Sequence, residues 1–135
     1  MSRGLRNCNP GNIRISAVKY LGEVQPSQDT AFKQFSSIEW GYRAMFVLLY
    51  TYHRRRLFTL RKMIDRYAPP IENHTENYID FVAKQANCSA DEHLNIFDRE
   101  VMIPIVAAMS QIENGTPADK IKVTEGWRLF IQHKP

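Results

Sequence analysis

The sequence predicts an α+β fold that is mainly helical, with a small antiparallel sheet near its N-terminus. Three observations lead there. Gly, Asn and Pro crowd residues 3–14, and the short run Ala31-Phe32-Lys33-Gln34-Phe35 follows a polar loop, a pattern of turns and brief strands. From Ile38 onward, apolar residues recur at helical spacing in successive segments. Most of these segments are bounded by a capping residue or a breaker. The 135 residues suit one domain, 1–135, long enough to bury a real core.

Residues 3–14 read as tight turns before a first strand at Asn12–Ile15. Phe32 and Phe35 do not share one strict period-2 face, so short strands with a bend are expected, in a sheet of two or three strands that must pack on helices. Ser36-x-x-Glu39 has capping-box spacing, and Ile38, Tyr42, Met45, Phe46, Leu49 and Tyr52 mark a long buried helix to about His53. Gly41 inside it points to close packing against another backbone.

Thr59 caps a short helix, Leu60 to Tyr67, that Ala68-Pro69-Pro70 stops. After the polar Ile71-Glu72-Asn73-His74, Thr75 caps a helix to about Asn87. Asp98 caps a helix reaching Glu113, with Pro104 expected to kink it or delay its start. Thr116-Pro117 opens another short helix, and Trp127, Leu129, Phe130 and Ile131 form the last apolar patch.

The net charge of +4 suits an anionic partner such as nucleic acid, anionic lipid or a wall polymer, without choosing among them. The cluster His53-Arg54-Arg55-Arg56 sits where basic residues favour a helix C-terminus anyway. Cys8 and Cys88 lack any C-x-x-C spacing, and the four histidines are scattered, so no metal site and no cofactor is expected. A Cys8–His nucleophilic pair lacks the local signature of a cysteine hydrolase. No apolar h-region follows the N-terminus and no run reaches the ~18 residues of a membrane span, so neither a signal peptide nor membrane insertion is expected.

Carboxylates remain. Glu113 stands at the C-terminal end of an apolar helix, where the helix dipole disfavours negative charge. A carboxyl so placed can hold a proton near neutral pH, as the general acid of glycoside hydrolysis must. Asp29 and Glu23, in the polar loop of the small sheet, are candidates for the second, ionised group. The plainer alternative is that all three are surface acids.

At this point Arg3-Gly-Leu-Arg-Asn-Cys-Asn-Pro-Gly-Asn-Ile-Arg14, Asp29-x-x-Phe32-x-x-Phe35, Gly41-Tyr-Arg-Ala44, Tyr67-Ala-Pro-Pro70, Glu72-Asn-x-Thr-x-x-Tyr78 and Glu113-Asn-Gly115 together resemble a phage and prophage virion protein family with a lysozyme-like domain. Cys8 stands where that family usually has asparagine, Tyr67 where it has tryptophan, and Ile112 where histidine commonly precedes the glutamate. Asn9-Pro-Gly-Asn-Ile-Arg14 with Phe32-x-x-Phe35 is distantly similar to bacterial glucosaminidases. The segments from Gly41 to Tyr78 are distantly similar to soluble lytic transglycosylases.

In those relatives the catalytic glutamate ends a helix that precedes all of these segments, whereas here the matching helix, Ala107 to Glu113, comes last. The resemblance therefore implies a circularly permuted lysozyme-like fold, and with it a contact between Glu113 and the Asn7–Asn12 turn. It implies cleavage of peptidoglycan, as a muramidase or lytic transglycosylase, with Glu113 as general acid, its pKa raised by burial and the helix dipole. Asp29 would support the oxocarbenium-like transition state or place water, and Asn7, Asn9, Asn12, Tyr67 and Tyr78 would bind substrate. The implied partners are peptidoglycan glycan strands, with other virion proteins as further candidates and nucleic acid ranked lowest. The place of action is the virion or the cell envelope, after synthesis in the bacterial cytoplasm. The rival reading is a non-enzymatic virion or wall-binding protein that keeps the fold.

Overall fold

A computed structural model describes residues 1–70 and 74–135. The Glu72-Asn73 part of the sequence motif lies outside the described residues. The elements run α1 (Arg3–Arg6), β1 (Glu23–Val24), β2 (Gln34–Phe35), α2 (Ile38–Arg54), α3 (Leu60–Tyr67), α4 (Thr75–Ala86), α5 (Arg99–Asn114) and α6 (Lys120–Gln132). The protein is mainly helical with one small antiparallel sheet among the described residues, β1 pairing β2 in the register Glu23↔Phe35 and Val24↔Gln34. The strand expected at Asn12–Ile15 is reduced to a single bridge, Arg14 to Phe32.

Helix α2 is the central element. Its residues from Gly41 to Val47 are all buried, and it lies along α6, where Phe46 meets the Trp127 ring edge-on at 5.1 Å and stacks on Phe130 at 6.0 Å. At the crossing a Cβ on Gly126 would stand 2.5 Å from the Tyr42 Cβ. Helices α4 and α5 pack on one another, with Ile79 and Val82 of α4 and Met102, Ile105, Val106 and Met109 of α5 in the same core cluster. No helix among the described residues is long and apolar enough to cross a membrane.

Several local expectations change. Residues 3–6 make one helical turn, capped by the Ser2 hydroxyl, rather than a tight turn alone. Helix α2 is capped by Ser37, whose hydroxyl accepts from the Trp40 N–H, so Ser36 and Glu39 do not form the capping box. Thr75 caps nothing: its hydroxyl donates to the Ala68 carbonyl and so ties α4 to the end of α3. Pro104 lies inside α5, which still begins at Arg99, so the later start is not observed. Helix α6 begins at Lys120 under the Asp119 carboxylate, not at Pro117, and Ile131 is 39% exposed rather than part of the closing patch. Thr59 and Asp98 cap α3 and α5 as expected.

Gly41 is required by contact. A Cβ there would lie 2.0 Å from the Cys8 carbonyl oxygen and 2.7 Å from Pro10 Cδ, so the N-terminal turn rests directly on the α2 backbone. Helix propensity alone predicts that Gly41→Ala stabilises the protein by ~1 kcal/mol. The contact predicts the opposite sign, a loss of about 1–3 kcal/mol or more through overpacking. Urea unfolding decides between them, and a gain in midpoint would mean that the turn does not rest on α2.

Candidate functional site

The site is built where the end of α5 meets the N-terminal turn. Gly115, with φ +70°, takes the left-handed conformation that closes the helix just after Asn114. Glu113 is therefore in the last turn, where unsatisfied carbonyls make a carboxylate costly. The contact expected from the permuted order is made: Asn12 Nδ2 donates to Glu113 Oε1 at 3.0 Å, across 101 residues of sequence. Asn12 itself has φ +50°, a conformation that asparagine tolerates better than most residues. Tyr78, on α4, donates its hydroxyl to Glu113 Oε2 at 3.0 Å.

Burial pushes the Glu113 carboxyl above its ordinary pKa, against the opposing pull of the Asn12 and Tyr78 hydrogen bonds and the Arg14 charge. Both hydrogen-bond donors are neutral, so the half-buried carboxyl is held in place without an ion pair that would fix it as an anion. Burial also drives the Tyr78 and Tyr67 phenols well above their usual range, which keeps them protonated donors.

The other sequence candidates separate. The Tyr67 hydroxyl donates to the Gly11 carbonyl, beside Asn12, and so shapes the turn. Asn9 is 0% exposed; its Nδ2 donates to the Ile13 and Lys33 carbonyls and its Oδ1 accepts from the Ile13 N–H. It joins the turn to β2 from inside, which leaves it no face to offer a sugar.

Asn7 and Asp29 form a second cluster. Asp29 Oδ2 accepts from Arg3 Nε at 2.7 Å and Asn7 Nδ2 at 3.0 Å, while Oδ1 accepts from Arg3 Nη2 and the N–H groups of Ala31 and Phe32. Five donors fill the roughly four lone-pair sites of a carboxylate. The Arg3 guanidinium, with the backbone and Asn7 donors, holds the Asp29 carboxyl far below the usual range. Asp29 anchors the N-terminal arm through Arg3 and Asn7.

Glu23 is engaged as well. Burial opposes its ionisation, but hydrogen bonds from Gln25, the Tyr20 N–H and Lys33 outweigh it and hold the carboxyl low, with buried Lys33 Nζ 3.1 Å from both oxygens. Among the described residues no cluster of His, Cys, Asp and Glu side chains could hold a metal, and Cys8 and Cys88 are free thiols.

Sequence reasoning missed Asn114 and Arg3. Asn114 Nδ2 donates to the Pro10 and Ser110 carbonyls and its Oδ1 accepts from Ser2, so it binds the helix end to the turn, although in sequence Asn-Gly reads only as a stop signal. Arg3 neutralises Asp29, a pairing that local spacing does not reveal.

No protein-family profile matches the chain. Over 136 residues it is 35% identical to a phage protein, in an alignment that covers 96% of this chain and 83% of the relative, and it therefore belongs to that protein's family. The relative is Protein P5 of Pseudoalteromonas phage PM2.

Two pH-linked outcomes follow from the shifts. A carboxyl with a raised folded pKa loses stability as pH climbs from its unfolded value, about 4.3, through the folded one. Glu113→Gln keeps an acceptor for Asn12 and gains a donor for Tyr78, so at pH 7 it is at least as stable as the native protein, an advantage that vanishes below about pH 4. Asp29 is the reverse case: its depressed pKa contributes stability that is present above the unfolded value, about 3.9, and is lost as pH falls. Asp29→Asn accordingly lowers the melting temperature at pH 7, and the gap to the native protein narrows as the solution is acidified below that value. Thermal melts from pH 3 to 8 check both, and a Glu113→Gln protein much less stable at pH 7 would contradict the raised pKa.

Proposed function

We propose that this phage-family protein cleaves the β-1,4 bond between N-acetylmuramic acid and N-acetylglucosamine in peptidoglycan, with Glu113 as general acid. One observation carries the reading: a half-buried carboxyl at a helix C-terminus, its pKa raised by burial, held on both oxygens by the neutral donors Asn12 and Tyr78. The proposal includes a single lysozyme-like domain over residues 1–135, with its segments in circularly permuted order. The order of the motifs and the meeting of Glu113 with the asparagine turn support it. Its partner is the glycan strand, met in the virion or the envelope.

The engagement of Asp29 and Glu23 elsewhere favours a mechanism with one carboxyl. Protonated Glu113 gives its proton to the glycosidic oxygen as the C1–O bond breaks. The resulting carboxylate then takes the proton of the muramic C6 hydroxyl as that oxygen closes on C1, leaving a 1,6-anhydro end. This is the lytic transglycosylase outcome, and it needs no second acid. Tyr78 and Asn12 orient the carboxyl in both steps.

One observation favours the non-enzymatic rival, a virion or wall-binding protein: both Glu113 oxygens already accept hydrogen bonds from the protein. Digestion of purified peptidoglycan separates the two readings. The native protein releases anhydro-muramic ends, and Glu113→Gln reduces release by about 10²–10⁴-fold, the usual worth of a general acid. Removal of a donor that favours the ionised form raises the acid's pKa. Tyr78→Phe therefore slows digestion about three- to tenfold and moves the alkaline limb of the pH profile upward. Wall binding with no digestion by either protein would establish the rival, and equal digestion by native protein and Glu113→Gln would overturn the role of Glu113 as acid.

A further inference from the structure

Beside the N-terminal turn lies a cavity of about 830 Å³ whose wall carries Arg14, Lys19, Arg43, Arg55 and Lys134, no aspartate or glutamate side chain, and Pro135 at one edge. Arg43, from the buried part of α2, is 4% exposed. Its Nη2 donates to the His133 carbonyl, while its Nε has no partner. None of the ion pairs among the described residues involves it. A guanidinium withdrawn from water without a counter-ion is unfavourable. One kept in the wall of an accessible cavity supplies a positive charge that favours a carboxylate there. The remaining wall, with Val47, Leu48, Tyr20 and Tyr52, suits an organic body behind that carboxylate rather than a bare ion.

Asn12 donates to Glu113, and the next two residues, Ile13 and Arg14, line the cavity.

We propose that this cavity holds the carboxylate of a short peptide carried on the glycan strand, with Arg43 as its anchor and Lys19 and Arg55 as attracting charges at the rim. The inference rests on the peptidoglycan reading, because it names the arm of that polymer that the protein recognises. It gives the protein a preference for glycan that still bears its peptides.

The test is calorimetric titration of the whole protein with four probes: a muramyl disaccharide bearing a tripeptide with free carboxylates, the same compound with its carboxylates amidated, the peptide-free disaccharide, and inorganic phosphate. The free-acid compound binds about tenfold or more tighter than its amide, the scale of a charge-assisted hydrogen bond. Arg43→Gln abolishes that difference and Arg43→Lys restores part of it. Because Arg43 is buried, the exposed double variant Lys19→Ala/Arg55→Ala is measured as well, and it lowers affinity for the acid compound and weakens its salt dependence while leaving the amide unchanged. Equal affinity for acid and amide overturns the proposal, as does phosphate competing as well as the acid peptide, which would mark a generic anion site. Cleavage failing in both native protein and Glu113→Gln, with the acid-over-amide preference intact, would refute the glycosidase alone. Cleavage without that preference would refute the cavity's role alone.

Discussion

The attachment of the α5 end to the N-terminal turn governs the rest of the structure. Asn114 bridges Ser2, Pro10 and Ser110, and one residue earlier Glu113 receives Asn12. The turn that these bonds grip is itself pressed onto α2 at Gly41 and tied to β2 through Asn9. The small sheet, the central helix and the last turn of α5 are thereby fixed to one another through about a dozen residues. A loosened turn would leave Glu113 without its Asn12 donor, and Arg3 and Asn7 without their fixed approach to Asp29.

Three carboxylates near this junction meet three environments. Glu23 is neutralised by a buried lysine and Asp29 by an arginine and a set of backbone N–H groups, whereas Glu113 takes hydrogen bonds from two neutral donors and no salt bridge among the described residues. Identical chemistry is thus divided into two fixed anions and one carboxyl whose pKa burial raises. Arg14 moderates that last group from a distance, favouring its charged form without outweighing burial.

What the sequence made legible was whatever depends on neighbours a few residues away. The caps at Thr59 and Asp98, the spacing of α2 and the need for space at Gly41 are local signals, and they appear in the structure. Two adjacent serines offered two registers for the start of α2, and periodicity could not choose Ser37. The turn at Arg3–Arg6 uses the same residue types as a loop and is stabilised by packing of Gly4 among Asn9, Asn12 and Asn114. Arg43 shows the limit most clearly: on a helical wheel it is one more basic residue, and only the fold reveals that it is buried without a counter-ion. The Glu113–Asn12 meeting was anticipated from motif order, since no local rule links residues so far apart.

That separation also orders events in time. The asparagine turn is synthesised 101 residues before Glu113, and closing a contact over that separation is entropically late as well. The arrangement around Glu113 therefore cannot assemble on a chain interrupted before that residue. Asn12 and Tyr78 come first in the chain and wait for the carboxyl that they hold, so the junction is completed in a single late step.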